Sequence, residues 1–419
     1  MTDKDPENPV LGGARAWGMW VLAGLGFGYA FFHRVAPSVM VSELMTDFAI
    51  GGAVLGVLSA LYFYPYVLLQ VPLGAMLQII GTRILLSLAL MLAAIGSLIF
   101  GTAETVGLAY FGRILIGIGC SVGFLGSLAL ASSWFREHQY AFLAGLAMFF
   151  GMTSGMLAQK PLAFVIELTG WRDAMYMLAG GGALLSVLVY IFVRNSPVAK
   201  PATSASKIGW RALALDLRAA FGCADVWKIA FVAAAMSGPM LALGALWGTP
   251  YAVQAYGLSR PDAAFQMSYL LMGWAAGAPF WGWASSRIGR PKLILVINAS
   301  MLTALIAVII AVPALPLVWF GITVCLVGFT GGGMSACFGL VRQVVPASLA
   351  GAATGVVNSL TVASGAVLQP LVGLGLDLLW SGQSENGVRL YLASDYRIAF
   401  IVILLSCILG VVTALTLKE

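Results

Sequence analysis

Residues 282–294 read GWASSRIGRPKLI and residues 74–86 read GAMLQIIGTRILL; each opens on a glycine, repeats glycine seven residues on, and follows it with cationic side chains. The two stretches lie 208 residues apart. Outward from them the correspondence continues: LAGLAMFFG from Leu143 is answered by LAGAATGVV from Leu349, and Lys160-Pro161-Leu162 by Gln369-Pro370-Leu371, at offsets of 206 and 209. An internal repeat of this length is how many membrane carriers are built, as two copies of one helical bundle.

The solvent follows from composition. Hydrophobic residues make up 61% of the 419 and charged ones only 9%, about a third of the ~25% that a soluble domain carries. The chain is expected to live in a bilayer, all helical, because its apolar segments are continuous runs rather than the alternating ten-residue pattern of a barrel. A crossing needs roughly 20 apolar residues. That template fits twelve times, at 15–38, 53–77, 83–102, 107–131, 140–164, 173–193, 226–255, 263–284, 291–312, 316–343, 348–379 and 396–416. No short apolar run with a cleavage site precedes span 1, which is therefore expected to direct insertion itself.

Of the 22 cations, 15 fall in segments that become cytoplasmic when both termini are inside, and four fall outside (Arg172, Arg260, Arg389, Arg397). Because cations resist translocation, this bias sets the orientation. The net charge of +6 reports topology and calls for no nucleic acid. The expected organisation is a six-helix bundle over 1–194, a basic cytoplasmic linker over 195–225 and a second bundle over 226–419. Within the linker, 208–221 has apolar residues at helical spacing with Arg211 and Arg218 on the polar side. It reads either as an interfacial helix on anionic headgroups or as an ordinary basic connector. Four of the five cysteines sit in apolar runs and Cys223 in the linker, so neither a disulfide framework nor a metal site is implied.

The repeated loop resembles the cytoplasmic motif of the major facilitator superfamily, and the resemblance extends over essentially the whole chain. Its second copy is Gly282, Ser286, Arg287, Gly289, Arg290 and Lys292; its first is reduced to Gly74, Gln78, Gly81 and Arg83. Both copies lack the family's aspartate. Arg113 followed by Gly117 and Gly119 matches the family's arginine motif in span 4, whereas the glycine-proline motif of many drug antiporters is absent from FGMTSGMLAQKP in span 5. The resemblance implies two bundles related by a pseudo-twofold axis, a substrate site between them near the midplane, and alternating access by rocking. Small residues should mediate close helix contacts, and Gly119/Gly123, Gly151/Gly155 and Gly351/Gly355 have the four-residue spacing.

Three cations interrupt the spans: Arg34 in span 1, Arg113 in span 4 and Lys160 in span 5, with no Asp or Glu deep in any span. A buried charge costs about 2.5–3.5 kcal/mol on the mildest scale, so each needs a partner, a cavity or water. Arg34 either snorkels outward towards Glu43 and Asp47 or offers its planar fork to a carboxylate or phosphate in the central cavity. We take the second reading. Anion-handling members of the superfamily often carry a basic residue on this helix. Its phosphate-ester exchangers add an arginine on span 7, where this chain has Trp247 and Tyr251 and no cation. Arg113 either shapes the field or is held by backbone carbonyls. Lys160 either faces its repeat partner Gln369 across the cavity or reaches outer headgroups. His33 is a proton-carrier candidate, because an unperturbed imidazole titrates near physiological pH, or else a satisfied buried side chain. The candidate wall is Tyr62, Tyr64, Tyr66 and Gln70 in span 2, Trp247 and Tyr251 in span 7, Trp274 in span 8 and Asn358 in span 11, with Tyr66, Trp274 and Asn358 favoured because they lie near midspan.

These cations predict an electropositive cavity that takes an anion. The expected function is a secondary transporter of a small organic anion, by proton symport or exchange against a counter-anion. It needs no cofactor and no oligomer, and its expected place is a bacterial inner membrane. The alternative within transport is a proton-driven carrier of a larger amphipathic solute such as a siderophore or drug. From another class, a non-transporting receptor or sensor would need a signalling extension. An enzyme is disfavoured by the absence of a metal-ligand cluster or a nucleophile-base pair, with His33 and His138 the only histidines.

Overall fold

The computed structural model describes residues 11–136, 139–197, 210–313, 315–346, 349–385 and 388–417. Much of the expected linker, 198–209, lies outside these residues, including Ile208 where the surface helix was expected to begin. Among the described residues ten helices are long and apolar enough to cross a membrane. The two other expected crossings appear as Ala14–Val35 and Arg260–Ile288, of 22 and 29 residues, long enough to span but more polar. The chain is a multi-pass membrane protein.

Spans 3, 6 and 9 are unbroken helices, Thr82–Gly101, Trp171–Phe192 and Pro291–Ala311. Those nearest the expected site are interrupted. Span 1 runs on from Val35 through a 3-10 turn, Ala36–Val39, into the helix Val41–Phe48. Pro37 stands in that turn, where its missing N–H removes a helical bond. Span 2 is split into Gly52–Ala60 and Phe63–Ile79, and span 5 into Tyr140–Leu157 and Lys160–Thr169. In span 7 the helix Ala224–Pro239 passes into eight residues of π-helix, Met240–Trp247, before Gly248–Tyr256. A π segment this long is rare and leaves carbonyl geometry that side chains can use. Span 11 is the 30-residue helix Ala350–Leu379. Beyond it a hairpin pairs Ser384–Glu385 with Val388–Arg389.

The repeat visible in sequence has a conformational basis. Gly81 and Gly289, at equivalent places in the two loops, have φ of +85° and +70°, a region that favours glycine. The expected surface helix is present as Trp210–Phe221, with Arg218 and Leu215 exposed.

The first six spans meet the last six along pairs that mirror one another, span 2 with span 11 and span 5 with span 8. At the first pair a Cβ on Gly56 would lie 2.6 Å from the Gln369 carbonyl, and one on Gly373 2.1 Å from the Gly52 carbonyl. Backbone approach of this kind is how helices associate where lipid is as apolar as leucine. The three glycine pairs singled out by spacing are mostly elsewhere. Gly119 abuts Ala89 and Ala93, Gly123 and Gly151 abut Phe27, and Gly351 has nothing within 4 Å. Gly155 reaches across, to Leu271.

Candidate functional site

We call the face opposite the 195–225 linker the outer face. Span 1 carries Arg34 into a nest of rings because its helical period puts Phe31 one turn before it. Span 2 brings Tyr62, Phe63 and Tyr66 alongside. The guanidinium carbon lies 4.8 Å from the Phe31 ring centre, 5.1 Å from Tyr66, 5.8 Å from Tyr62 and 5.9 Å from Phe63. Only 8% of Arg34 is exposed, and its Nε is buried with no hydrogen-bond partner. The aromatic faces stabilise the charge through their quadrupoles, more strongly where water is excluded. Tyr62 donates its hydroxyl to the Ala30 carbonyl at 2.8 Å, which fixes the ring against span 1.

Arg113 approaches the same tyrosine, 5.2 Å from the centre of the Tyr62 ring. Its Nη1 donates to the His33 carbonyl at 2.9 Å, while Nε and Nη2 are buried without a partner. The structural hold expected as one reading of Arg113 is thus present, yet two of its donors stay unspent. His33 is fully buried, with Nε2 3.2 Å from Ser97 Oγ, Nδ1 unpartnered, and its ring edge-on to Tyr29 at 4.6 Å. Among the described residues no carboxylate pairs with Arg34 or Arg113; the ion pairs lie elsewhere.

Lys160 departs from the expectation. It begins the outer segment of span 5, is half exposed, and pairs with Asp262 of span 8 at 3.0 Å. It does not face Gln369 across a cavity. The break at residues 158–159 turns the chain so that the polar side chain directed inward is Gln159, one position earlier. Fully buried, Gln159 donates Nε2 to the Gly244 carbonyl at 2.9 Å and makes long contacts to Ser38 Oγ and Thr249 Oγ1 at 3.5 and 3.4 Å. Gln369 does the equivalent from span 11, donating Nε2 to the Leu241 carbonyl at 2.8 Å, with its Oε1 buried and unpartnered. Two glutamines, from equivalent spans of the two halves, therefore grip the π segment of span 7. Nothing marked Gln159 in the sequence except its place before Lys160-Pro161, because an uncharged amide in an apolar run carries no visible cost.

Several expected wall residues are structural struts in this arrangement. Trp247 is fully buried and donates Nε1 to the Gln369 carbonyl at 2.9 Å. Tyr251 sits in a ring cluster with Phe320, Tyr396 and Phe400, and Trp274 is 4% exposed and packs on Gly331. All three belong to the second half. Asn358 is half-buried and donates to Gln70 Oε1 at 3.4 Å, joining spans 11 and 2 towards the inner face. In the repeated loops, Arg83 donates Nε to the Tyr190 carbonyl at 2.7 Å and stacks on that ring, whereas Arg287 and Arg290 are exposed beside Gly282 and Gly289. Gly74 has open space around it.

The outer ends of the halves are joined by charge. Arg260 pairs with Glu43, and Asp377 accepts from the backbone N–H groups of Gly52 and Ala53 at 2.9 Å each while pairing with Arg389 at 2.9 Å. Tyr391 donates to the same carboxylate; burial, reinforced by Asp377, pushes its hydroxyl well above the usual phenol range, so it stays a donor. Between these contacts lies a chamber of about 570 Å³ on the outer face.

Known proteins converge on one family. The profile of the Major Facilitator Superfamily matches residues 17–370. The "Probable sulfoacetate transporter SauU" of Cupriavidus necator is 23% identical over 205 residues, 48% of this chain and 47% of that protein. The D-galactonate transporter of Escherichia coli is 25% identical over 202 residues, 46% of this chain and 44% of that one. Each match thus spans less than half of the curated relative. In structure, a bacterial homologue of the human lysosomal transporter Spinster, in an inward-facing and occupied conformation, superposes with a TM-score of 0.77 at 14% identity, covering 98% of this chain and 97% of that one. At that identity the likeness concerns the fold.

Proposed function

Because this chain belongs to the Major Facilitator Superfamily, we propose that it is a secondary transporter of a small organic anion, working by alternating access with 1–194 and 226–419 as the two moving bodies. It is a carrier and not an enzyme. The observation that carries the anion reading is Arg34, a buried guanidinium ringed by four aromatic side chains and paired with no carboxylate among the described residues. A charge so placed is stabilised most by a ligand of opposite sign, and its planar fork suits a carboxylate. Arg113, with two buried and unspent donors, adds positive potential beside Tyr62.

Two relatives are named for sulfoacetate and D-galactonate, both organic anions, which supports the same class. The coupling is proton symport or exchange against a second anion, with His33 the proton candidate in the first case. The membrane is the bacterial inner membrane. Substrate neutralising Arg34 would lower the cost of closing the site, so the loaded carrier reorients more readily than the empty one.

The test is uptake into proteoliposomes with a panel of carboxylates and sulfonates, wild type against Arg34→Gln. Loss of uptake and of ligand-induced thermal stabilisation in the variant is the expected result. Undiminished uptake and affinity would remove Arg34 from the site and this reading with it.

A further inference from the structure

The first span supplies side chains to both places, Arg34 to the ring nest and Ser38 to the wall of the outer chamber. The lining of the chamber includes Ser38 and Thr249, the two hydroxyls that meet Gln159 Oε1. Ser38 stands four residues, one helical turn, beyond Arg34. A volume of about 570 Å³ falls within the range of small-molecule sites, ~300–1,000 Å³. We infer that this chamber is a second solute site, which holds a hydroxylated carboxylate on the outer side before Gln159 gives way. The inference rests on the anion reading above and narrows it to acids that carry several hydroxyl groups.

The chemistry of the walls selects that class. Ser42, Thr46, Tyr391 and Tyr396 line the chamber together with Ser38 and Thr249, a set of hydroxyls able both to donate and to accept. They complement a solute that itself bears hydroxyls, whereas an alkyl chain would meet only the Val39, Val41, Met45, Pro250, Val253 and Leu390 part of the wall and leave these hydroxyls unanswered. Two arginines, Arg260 and Arg389, and two glutamates, Glu43 and Glu167, also face the chamber. Each arginine is held by a carboxylate of the chain, Glu43 and Asp377 respectively, so positions that fit a carboxylate are already built. Arg260 and Glu43 are each a quarter exposed. Arg260 Nη1 is itself buried against Glu43, so an incoming acid that takes the place of Glu43 on Arg260 keeps the guanidinium paired while Glu43 turns into the water of the chamber. Asp377 is bound more firmly, by two backbone N–H groups and Tyr391 as well as Arg389, and remains in place.

An exchange at Arg260 has a consequence for the gate. Glu43 belongs to the outer extension of span 1 and Arg260 to the start of span 8. The solute would break one of the ties between halves while occupying the space above Gln159. Entry and unlocking are thereby the same event, because the solute shifts the equilibrium by its differential contacts with the two states.

The experiment is equilibrium binding of radiolabelled gluconate and hexanoate, six-carbon monocarboxylates with and without hydroxyls, to the full chain in lipid nanodiscs. Wild type is expected to bind two gluconates and one hexanoate per chain. Arg260→Gln and, as a gentler change in the wall, Thr46→Val should each leave one gluconate and the hexanoate unchanged; Arg34→Gln should leave one gluconate and no hexanoate. A single gluconate in wild type, lost with Arg34→Gln and indifferent to both chamber variants, overturns the chamber site and leaves the Arg34 site standing. No binding of either anion by wild type overturns both.

Discussion

Arg34 and Lys160 both interrupt apolar runs of the first half, yet one ends among aromatic rings and the other in a half-exposed ion pair with Asp262. Exposure makes the difference. Lys160 is half exposed with an acidic neighbour within reach, and a flexible ammonium takes it. Around Arg34, only 8% exposed, no acidic neighbour is available among the described residues, so the guanidinium is held by ring faces and its Nε is left without a partner. The same contrast separates the two levels at which the halves meet. The outer level is closed by exchangeable charges at its surface, the inner one by buried amides, hydroxyls and backbone contact.

The largest effect expected from breaking this contrast is at Arg34. Arg34→Gln keeps a polar side chain but removes the charge, and truncating one partner of a buried charge pair costs ~2–5 kcal/mol. Uptake affinity for the solute should fall by at least roughly 30-fold, read as a rise in KM in proteoliposomes. A fall in maximal rate at unchanged KM would mean that Arg34 positions helices rather than solute.

Next comes Gln159, which belongs to the boundary between the two levels. Gln159→Leu keeps the volume and strips the amide from the Gly244 carbonyl, a buried acceptor in the π segment. Leaving such a group unsatisfied costs ~1–3 kcal/mol. The closed outer layer should be weakened by that amount, seen as a lower unfolding temperature and as faster labelling of a cysteine placed at Ser38 from the outer side. Slower labelling at unchanged stability would show that the amide is no part of the seal. Gln369→Leu, which acts on the Leu241 carbonyl within the second half, is the paired control: it should lower stability similarly without raising outer access.

The contrast also explains what could be read from the chain. The repeat and the run lengths are properties of continuous segments, and the structure reproduces them as helices that begin and end near the expected residues. Arg34 was legible because a charge in hydrocarbon is costly and therefore conspicuous. Gln159 was not, since an amide costs less and betrays its place only through a helix break that depends on tertiary packing. Lys160 was misplaced for the same reason: the symmetry of Lys160-Pro161 with Gln369-Pro370 is real in sequence, but the break shifts the inward-facing position of span 5 by one residue. Trp274 was favoured for its depth, and Trp247 and Tyr251 for their place in span 7; neither depth nor span tells which face of a helix meets its own bundle.

The smallest effect belongs to Lys160, and its smallness is the sharper test of the two-level picture. Lys160→Gln removes a cross-half ion pair whose members are 48% and 56% exposed, and exposed pairs contribute little because water and ions screen them. Asp262 keeps the Ser259 hydroxyl at 2.8 Å, so no carboxylate is stranded. Solute KM should stay within about twofold of wild type at 0.15 M salt, and lowering the salt should enlarge the difference modestly, because only a screened contact responds to ionic strength. A loss of affinity comparable to that of Arg34→Gln, insensitive to salt, would mean that Lys160 swings inward during the cycle to meet the solute. The outer tie would then be one state of a mobile cation, and the separation of site from latch would have to be abandoned.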